Sequence, residues 1–469
     1  MVILSQPTPP PPIPDVPVTK PAVAPSPFPR KRPDQTRRIV AWASYDWANS
    51  AFTTIVVTFL YAEYFRRSLV PDVEGHTPGS SIWAWAVGTS AVLVALLSPI
   101  VGAMADQGGR RRLYLIISTW ICVGFTVALF FVAPSTPHAV LLAFLFFVVA
   151  NSAFDLGGVF YNSFLPVVAP PERLGTISGI GWGVGYTAGI VSMLVALFAM
   201  VGLPGIIVPW FDIPTAEGLN IRAPLLLVAG WFAVFSIPMF LFVKDEEPTR
   251  KGARVGDAIR GLGRTFGEVR RYKETAQFLL ARILFNDALV TVFTLGAVYM
   301  GAVFGADFGE IMVFGVVLNV VAGIGAFAFG FVDDRLGGKR TVMISVVALG
   351  VAVVIGVLAP NMTWFWVAGI LFGIFAGPNQ AASRSLMSRF VPRHQQAEFF
   401  GFFSFSGKAT AFLGPILFAV LASAFKDRVP FHSERIGISV LILLFLLGGV
   451  VLAFVNEEEG IRAAGEASH

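Results

Sequence analysis

Two stretches, GAMADQGGRRR at residues 102–112 and GFVDDRLGGKR at residues 330–340, decide how this chain is read. Gly102, Asp106, Gly109, Arg111 and Arg112 recur as Gly330, Asp334, Gly337, Lys339 and Arg340, every member displaced by 228 positions. One such copy is a chance turn; two at matching places mark a duplicated chain. Two further registers agree. A displacement of 226 pairs Phe164 with Phe390, Pro166 with Pro392, Gly175 with Gly401 and Gly181 with Gly407, and one of 241 pairs Asp46 with Asp287, Phe52 with Phe293 and Thr53 with Thr294.

The sequence around these copies is that of a membrane protein. Of 469 residues, 55% are hydrophobic and 13% charged, and the mean hydropathy is +0.72, far from the quarter-charged make-up of soluble domains. From Ile39 onward, apolar segments alternate with short polar ones, and a segment of about 20 apolar residues is what one spanning helix needs. Twelve spans are predicted, at 39–65, 82–104, 113–132, 139–163, 175–200, 223–243, 276–303, 308–332, 341–359, 364–387, 399–424 and 436–455. The expected fold is an all-α membrane protein with twelve transmembrane helices as two six-helix bundles. Residues 1–38 form a Pro-rich disordered tail with 12 prolines. The bundles occupy 39–243 and 276–455, a basic linker with a possible surface helix lies at 244–275, and 456–469 is a second tail.

Several chemistries are excluded. Cys122 is the only cysteine and there are five histidines, with no CxxC or HExxH pattern, so neither a metal site nor a cofactor is expected. No phosphate-binding GxxxxGK[ST] loop is present, and enzyme activity and nucleic-acid binding are not expected. Cytoplasmic loops retain Lys and Arg. With both termini inside, inner segments hold 25 of the 34 basic residues and outer loops six, which predicts cytoplasmic termini.

The Gly-x-x-x-Asp-x-x-Gly-x-Arg/Lys-Arg element after spans two and eight resembles the signature of the major facilitator superfamily. Other segments narrow the resemblance: Ser44–Phe52, Tyr161–Pro166, Pro170–Arg173, Gly181–Tyr186, Phe285-Asn286-Asp287, Ser383-Arg384-Ser385 and Glu398–Gly401. Together these are similar to the vacuole-effluxer branch, also called the unknown major facilitator family, whose eukaryotic members release amino acids from the vacuole. The resemblance implies two bundles that rock about a central cavity lined by spans 1, 4, 7 and 10, with spans 3, 6, 9 and 12 facing lipid.

Ionisable groups inside a span are costly and mark function by default. Here they fall on spans 1, 4, 7, 10 and 11. The candidates for binding substrate or a proton are Asp46, Asn49, Asn151, Asp155, Asn286, Asp287, Gln380, Arg384 and Lys408, with helix packing and gate ion pairs as the plainer alternatives. Arg282 is expected to snorkel to the inner surface. Gly102, Asp106, Gly109, Arg111, Gly330, Asp334, Gly337, Lys339 and Arg340 are read as a conformational gate. In that gate Asp106 meets the N-terminus of span 11 and Asp334 that of span 5, where free N–H groups favour a carboxylate.

The function expected is secondary transport by alternating access, foremost efflux of an amino acid or related zwitterion with proton coupling. Asp46 and Asp287 would attract the ammonium or carry the proton, and Arg384 or Lys408 the carboxylate. A lipid or amphiphile flippase of the same fold and a non-transporting receptor or scaffold are the rivals. The expected setting is a monomer in the bacterial inner membrane, with lipid, a small solute and protons as its partners.

Overall fold

The computed structural model describes residues 34–70, 79–202, 207–245, 272–426, 428–429 and 432–467, and all described segments are helical or irregular apart from one isolated bridge residue. The Pro-rich segment 1–33 and most of the basic linker, 246–271, lie outside the described residues.

The chain runs through α1 (Gln35–Ala51), α2 (Gly79–Gly108), α3 (Arg111–Phe130), α4 (Ala139–Ser163), α5 (Leu174–Ala196) and α6 (Leu219–Phe242). The second half follows as α7 (Lys273–Phe304), α8 (Phe308–Leu336), α9 (Gly338–Leu358) and α10 (Met362–Arg389). Span 11 is α11, in two pieces, Gln396–Lys408 and Leu413–Phe425; α12 (Glu434–Ala453) and α13 (Glu457–Ala467) complete the chain. Eleven helices among the described residues are long and apolar enough to cross a membrane. The twelfth span is composite. α1 continues through a π-helical stretch, Phe52–Thr58, into the short helix Leu60–Tyr64.

Three boundaries differ from the sequence reading, each for a local reason. α1 starts at Gln35, inside the segment assigned to the tail, because Arg37 lays its guanidinium 3.7 Å from the Phe242 ring centroid. α11 is broken near its middle, where Asn286 and Asp287 of α7 supply hydrogen bonds that the helix would otherwise make to itself. The segment 456–469 contains a packed helix: Asn456 N–H donates to Glu274, and Gly460 lies against the Phe390 ring.

Two large hydrophobic cores lie one in each half of the chain, beside a small cluster around Ala103. One is drawn almost wholly from residues 41–243 and the other almost wholly from 272–455. Large apolar side chains such as Trp120, Leu241, Val347 and Leu446 on α3, α6, α9 and α12 point outward. That is the surface a lipid solvent accepts.

The bundles meet along two seams lined by small residues, as expected where packing replaces the hydrophobic effect between helices. In the first, α2 meets α11: a Cβ on Gly102 would lie 2.2 Å from the Ala397 carbonyl oxygen, and one on Gly401 would lie 2.4 Å from that of Ser98. In the second, α5 meets α8: a Cβ on Gly179 would lie 2.4 Å from the Ala326 carbonyl oxygen, and one on Gly330 would lie 2.9 Å from that of Gly175. Gly102→Ala should therefore lower the stability of the purified protein by about 1–3 kcal/mol through overpacking, read as a fall in the thermal unfolding midpoint; Gly124→Ala, with nothing within 4 Å, should leave it unchanged.

Candidate functional site

The repeated loop element closes one face of the bundle interface. The first copy ends α2 and the second ends α8, and their last glycines supply backbone that other residues avoid: Gly109 has φ +57° and Gly337 φ +90°. The turn so made projects the aspartate toward the opposite bundle. Asp106 Oδ2 accepts from Glu398 N–H at 2.8 Å, in the first turn of α11. Asp334 accepts from Gly175 N–H at 2.7 Å and Thr176 N–H at 2.9 Å, in the first turn of α5. Each carboxylate thus satisfies helix N–H groups that have no partner within their own helix.

The basic members of the element do not act alike. Arg111 is buried, donates to Gln396 Oε1 and to the Ser163 carbonyl, and lies 3.8 Å from Asp106. Lys339 donates through Nζ to the Ala453 carbonyl at 2.9 Å, within its own bundle. Arg340 is exposed. The sequence reading did not include four further charged residues here, Arg389, Asp333, Glu457 and Asp245. Arg389, at the end of α10, pairs with Asp333 at 3.0 Å and with Glu457 of α13 at 3.0 Å. Glu457 also accepts from Gly338 and Lys339 N–H at the start of α9. Asp245 accepts from Arg112 N–H at 3.0 Å, and burial pushes its carboxyl above the usual carboxylate range while that hydrogen bond pulls the other way. No spacing in the sequence links residues 245 or 457 to the repeated loops; only the fold brings them there.

Behind this face lies a cluster centred on Arg384. The positions Gln380, Arg384 and Ser388 follow one another at helical spacing on α10, and Arg384 is only 3% exposed. Its Nε donates to Ser178 Oγ at 3.0 Å and its Nη2 to the Ser178 carbonyl at 2.7 Å, both on α5. Nη1 reaches two oxygens of the same bundle, Asp46 Oδ2 at 3.2 Å and Asn162 Oδ1 at 3.3 Å. Trp42, Tyr161 and Trp182 surround the guanidinium, with ring centroids at 4.8, 5.8 and 5.7 Å. Trp42 and Asp46 are four residues apart on α1 and so share a face. Trp42 stacks on Tyr161 with centroids 4.8 Å apart, which fixes α1 against α4. Gly181 leaves room for this cluster, since a Cβ there would lie 2.3 Å from Asp46 Oδ2.

A second ion pair crosses the interface farther along. Lys408, at the end of the first piece of α11, pairs with Asp155 of α4 at 2.8 Å. The remaining candidates are spread out. Asn151 donates to Ser90 Oγ of α2 at 2.8 Å, a bond inside one bundle. Asn49 is half-buried on α1 and its amide oxygen lies 3.5 Å from Ser50 Oγ. Asn286 links Gln380, at 3.3 Å, with the Gly407 carbonyl, at 3.4 Å. Asp287 accepts from Gly414 N–H at 2.9 Å. Arg282 does not snorkel: it is 6% exposed, donates to the Phe403 carbonyl and Ser406 Oγ, each at 2.8 Å, and lies 3.7 Å from the Phe403 ring centroid. The Phe403 carbonyl, the Ser406 hydroxyl and the Phe403 ring, all on the first piece of α11, receive the guanidinium in place of water.

Asp334→Ala removes two charge-assisted bonds across the second seam. In a Cys122→Ser background carrying Ser385→Cys at a fully buried position of α10, this substitution should raise the labelling rate by a soluble maleimide several-fold. An unchanged rate would separate Asp334 from closure of this face.

The family described as vacuole effluxer Atg22 like matches residues 70–465. The uncharacterized MFS-type transporter YxiO of Bacillus subtilis (strain 168) is 27% identical over 424 residues, covering 90% of this chain and 96% of that protein. Autophagy-related protein 22 of Coccidioides immitis (strain RS) is 21% identical over 560 residues, covering 93% of this chain and 89% of its own. Among solved structures, the major facilitator superfamily transporter FucP in the outward conformation superposes with a TM-score of 0.68 at 11% identity, covering 90% of this chain and 98% of that one. Two bundles, a duplicated loop element and a family match over most of the chain place it in one group: the chain belongs to the vacuole effluxer Atg22-like family, with the fold of the major facilitator superfamily.

Proposed function

We propose that this membrane transporter moves an amino acid or related zwitterion by alternating access, with Arg384 as the group that recognises the substrate carboxylate. The observation that carries this reading is the unequal engagement of one guanidinium. Its Nε and Nη2 are held by Ser178, whereas Nη1 is shared between Asp46 and Asn162 at longer range. A substrate carboxylate can take Nη1 from Asp46 and accept a charge-assisted hydrogen bond from it. Asp46, released, then faces the substrate ammonium.

Exchange of this kind couples binding to movement. The Arg384–Asp46 contact joins α10 of one bundle to α1 of the other, so replacing it alters the balance between the two orientations. A ligand shifts such a balance only through its differential affinity for the two states. The glycine-aspartate element and the Lys408–Asp155 pair are read as gate contacts that re-form when the face closes. That face carries the loops holding most of the basic residues, which supports its being cytoplasmic. A bacterial inner membrane is the proposed location. Coupling to a cation gradient falls to a carboxylate that the protein does not itself neutralise.

The test uses full-length protein in detergent, a panel of L-amino acids and, in parallel, soluble lipid head-group compounds such as glycerophosphocholine. At least one amino acid should raise the thermal unfolding midpoint of the wild type. Arg384→Lys should weaken that ligand tenfold or more, equivalent to about 1.4 kcal/mol. Stabilisation by the head-group compounds alone would replace the zwitterion with an amphiphile, and equal affinity in Arg384→Lys would remove Arg384 from recognition.

A further inference from the structure

Three aspartates lie well inside spans, and the protein treats them differently. Asp46 faces Arg384 at 3.2 Å and Asp155 faces Lys408 at 2.8 Å. Asp287 is 2% exposed and has no ion-pair partner among the described residues. Its Oδ2 accepts from Gly414 N–H, but its Oδ1 is buried with no hydrogen-bond partner.

None of the charged groups around it pairs with it among the described residues. Arg282, five residues earlier on α7, donates through Nη1 to the Phe403 carbonyl and Ser406 Oγ, while its Nε is buried with no hydrogen-bond partner. Lys408 on α11 is taken by Asp155 and Arg384 on α10 by Asp46. Neither α12 beyond Arg435 nor α8 between Glu310 and Asp333 has a charged residue. A carboxylate left ionised and alone in such a place costs several kcal/mol. A positive charge must accompany it.

The backbone beside Asp287 is where a small cation finds oxygen. α11 is interrupted between Lys408 and Leu413, and broken helices in transporters present free backbone groups at mid-membrane, where coupling ions bind. Thr291, one turn after Asp287, adds a hydroxyl: its Oγ1 donates to the Asp287 carbonyl at 2.7 Å and lies against Gly414, where a Cβ would be 2.1 Å away.

We infer that Asp287, at the break in α11, takes up one positive charge, a proton or an alkali cation, and is the coupling-cation site of this chain, separate from the Arg384 cluster. The inference rests on the transport reading for its purpose but not for its chemistry. Occupied, the site lets α7 hold the second piece of α11 through Gly414 without an exposed charge. Empty, it leaves a bare carboxylate that favours whichever orientation admits water or the next cation.

The experiment compares full-length wild type with Asp287→Asn, which keeps an acceptor for Gly414 N–H. Thermal unfolding is followed in sodium chloride and in choline chloride at equal ionic strength and constant pH. The infrared band of a protonated carboxyl group is recorded at neutral pH. A sodium-dependent rise in the midpoint of the wild type, absent in the variant, identifies an alkali cation. A protonated-carboxyl band in the wild type that the variant lacks, without a sodium effect, identifies the proton. The inference is overturned if the wild type shows neither signal, or if the variant retains whichever signal is seen. Should Asp287→Asn fail to purify as a single species, Asp287→Ser takes its place, and a wild type silent in both measurements overturns the inference by itself. Neither measurement reads substrate, so failure here leaves the Arg384 reading standing, and loss of the Arg384 reading leaves this one to be judged on its own.

Discussion

The guanidinium of Arg384 is a positive charge placed where hydrocarbon or protein replaces water, and the closed interface is organised around satisfying it. One helix of the second bundle carries it, and three helices of the first answer it, through Asp46, Asn162 and Ser178. A buried ion adds little net stability but is costly to strip of one partner. The contact therefore specifies how the bundles dock more than it strengthens them. The aromatic wall of Trp42, Tyr161 and Trp182 offers ring faces to the cation.

Duplication explains why closure occurs along two seams. Each half contributes one glycine-aspartate element and one helix start that receives it, so α2 meets α11 as α8 meets α5. The same displacement of 226 that relates the halves maps Trp182 of α5 onto Lys408 of α11. Trp182 faces Arg384 of α10, and Lys408 faces Asp155 of α4. Corresponding places in the two halves thus each contribute to a charged contact across the interface, but with different side chains. The pseudo-symmetry supplies the scaffold, and its local departures supply the chemistry. A shared fold does not by itself name a cargo, which is why recognition has to be argued from Arg384 rather than from relatives 21% or 27% identical.

Much of this was legible in the chain itself. Hydropathy marks the spans because lipid offers no partner to backbone polar groups, so every crossing must be a helix of roughly fixed length. The repeated loop element announces the duplication, and its aspartates point to helix starts because a turn held by Gly109 or Gly337 leaves them few alternatives. Charged residues inside spans single out Asp46, Asp155, Asp287, Arg384 and Lys408, since nothing else tolerates them there. What the chain alone left open was pairing. Asp46 to Arg384 spans 338 positions, and Ser178 and Asn162 join them only because Gly181 lets α5 close in. Arg282 turns inward because the Phe403 carbonyl, the Ser406 hydroxyl and the Phe403 ring receive it, and Asp287 has no ion-pair partner among the described residues, Lys408 pairing with Asp155 and Arg384 with Asp46. A sequence states which charges must be buried; the tertiary fold decides which of them meet, because distance along the chain places no limit on distance across a bundle.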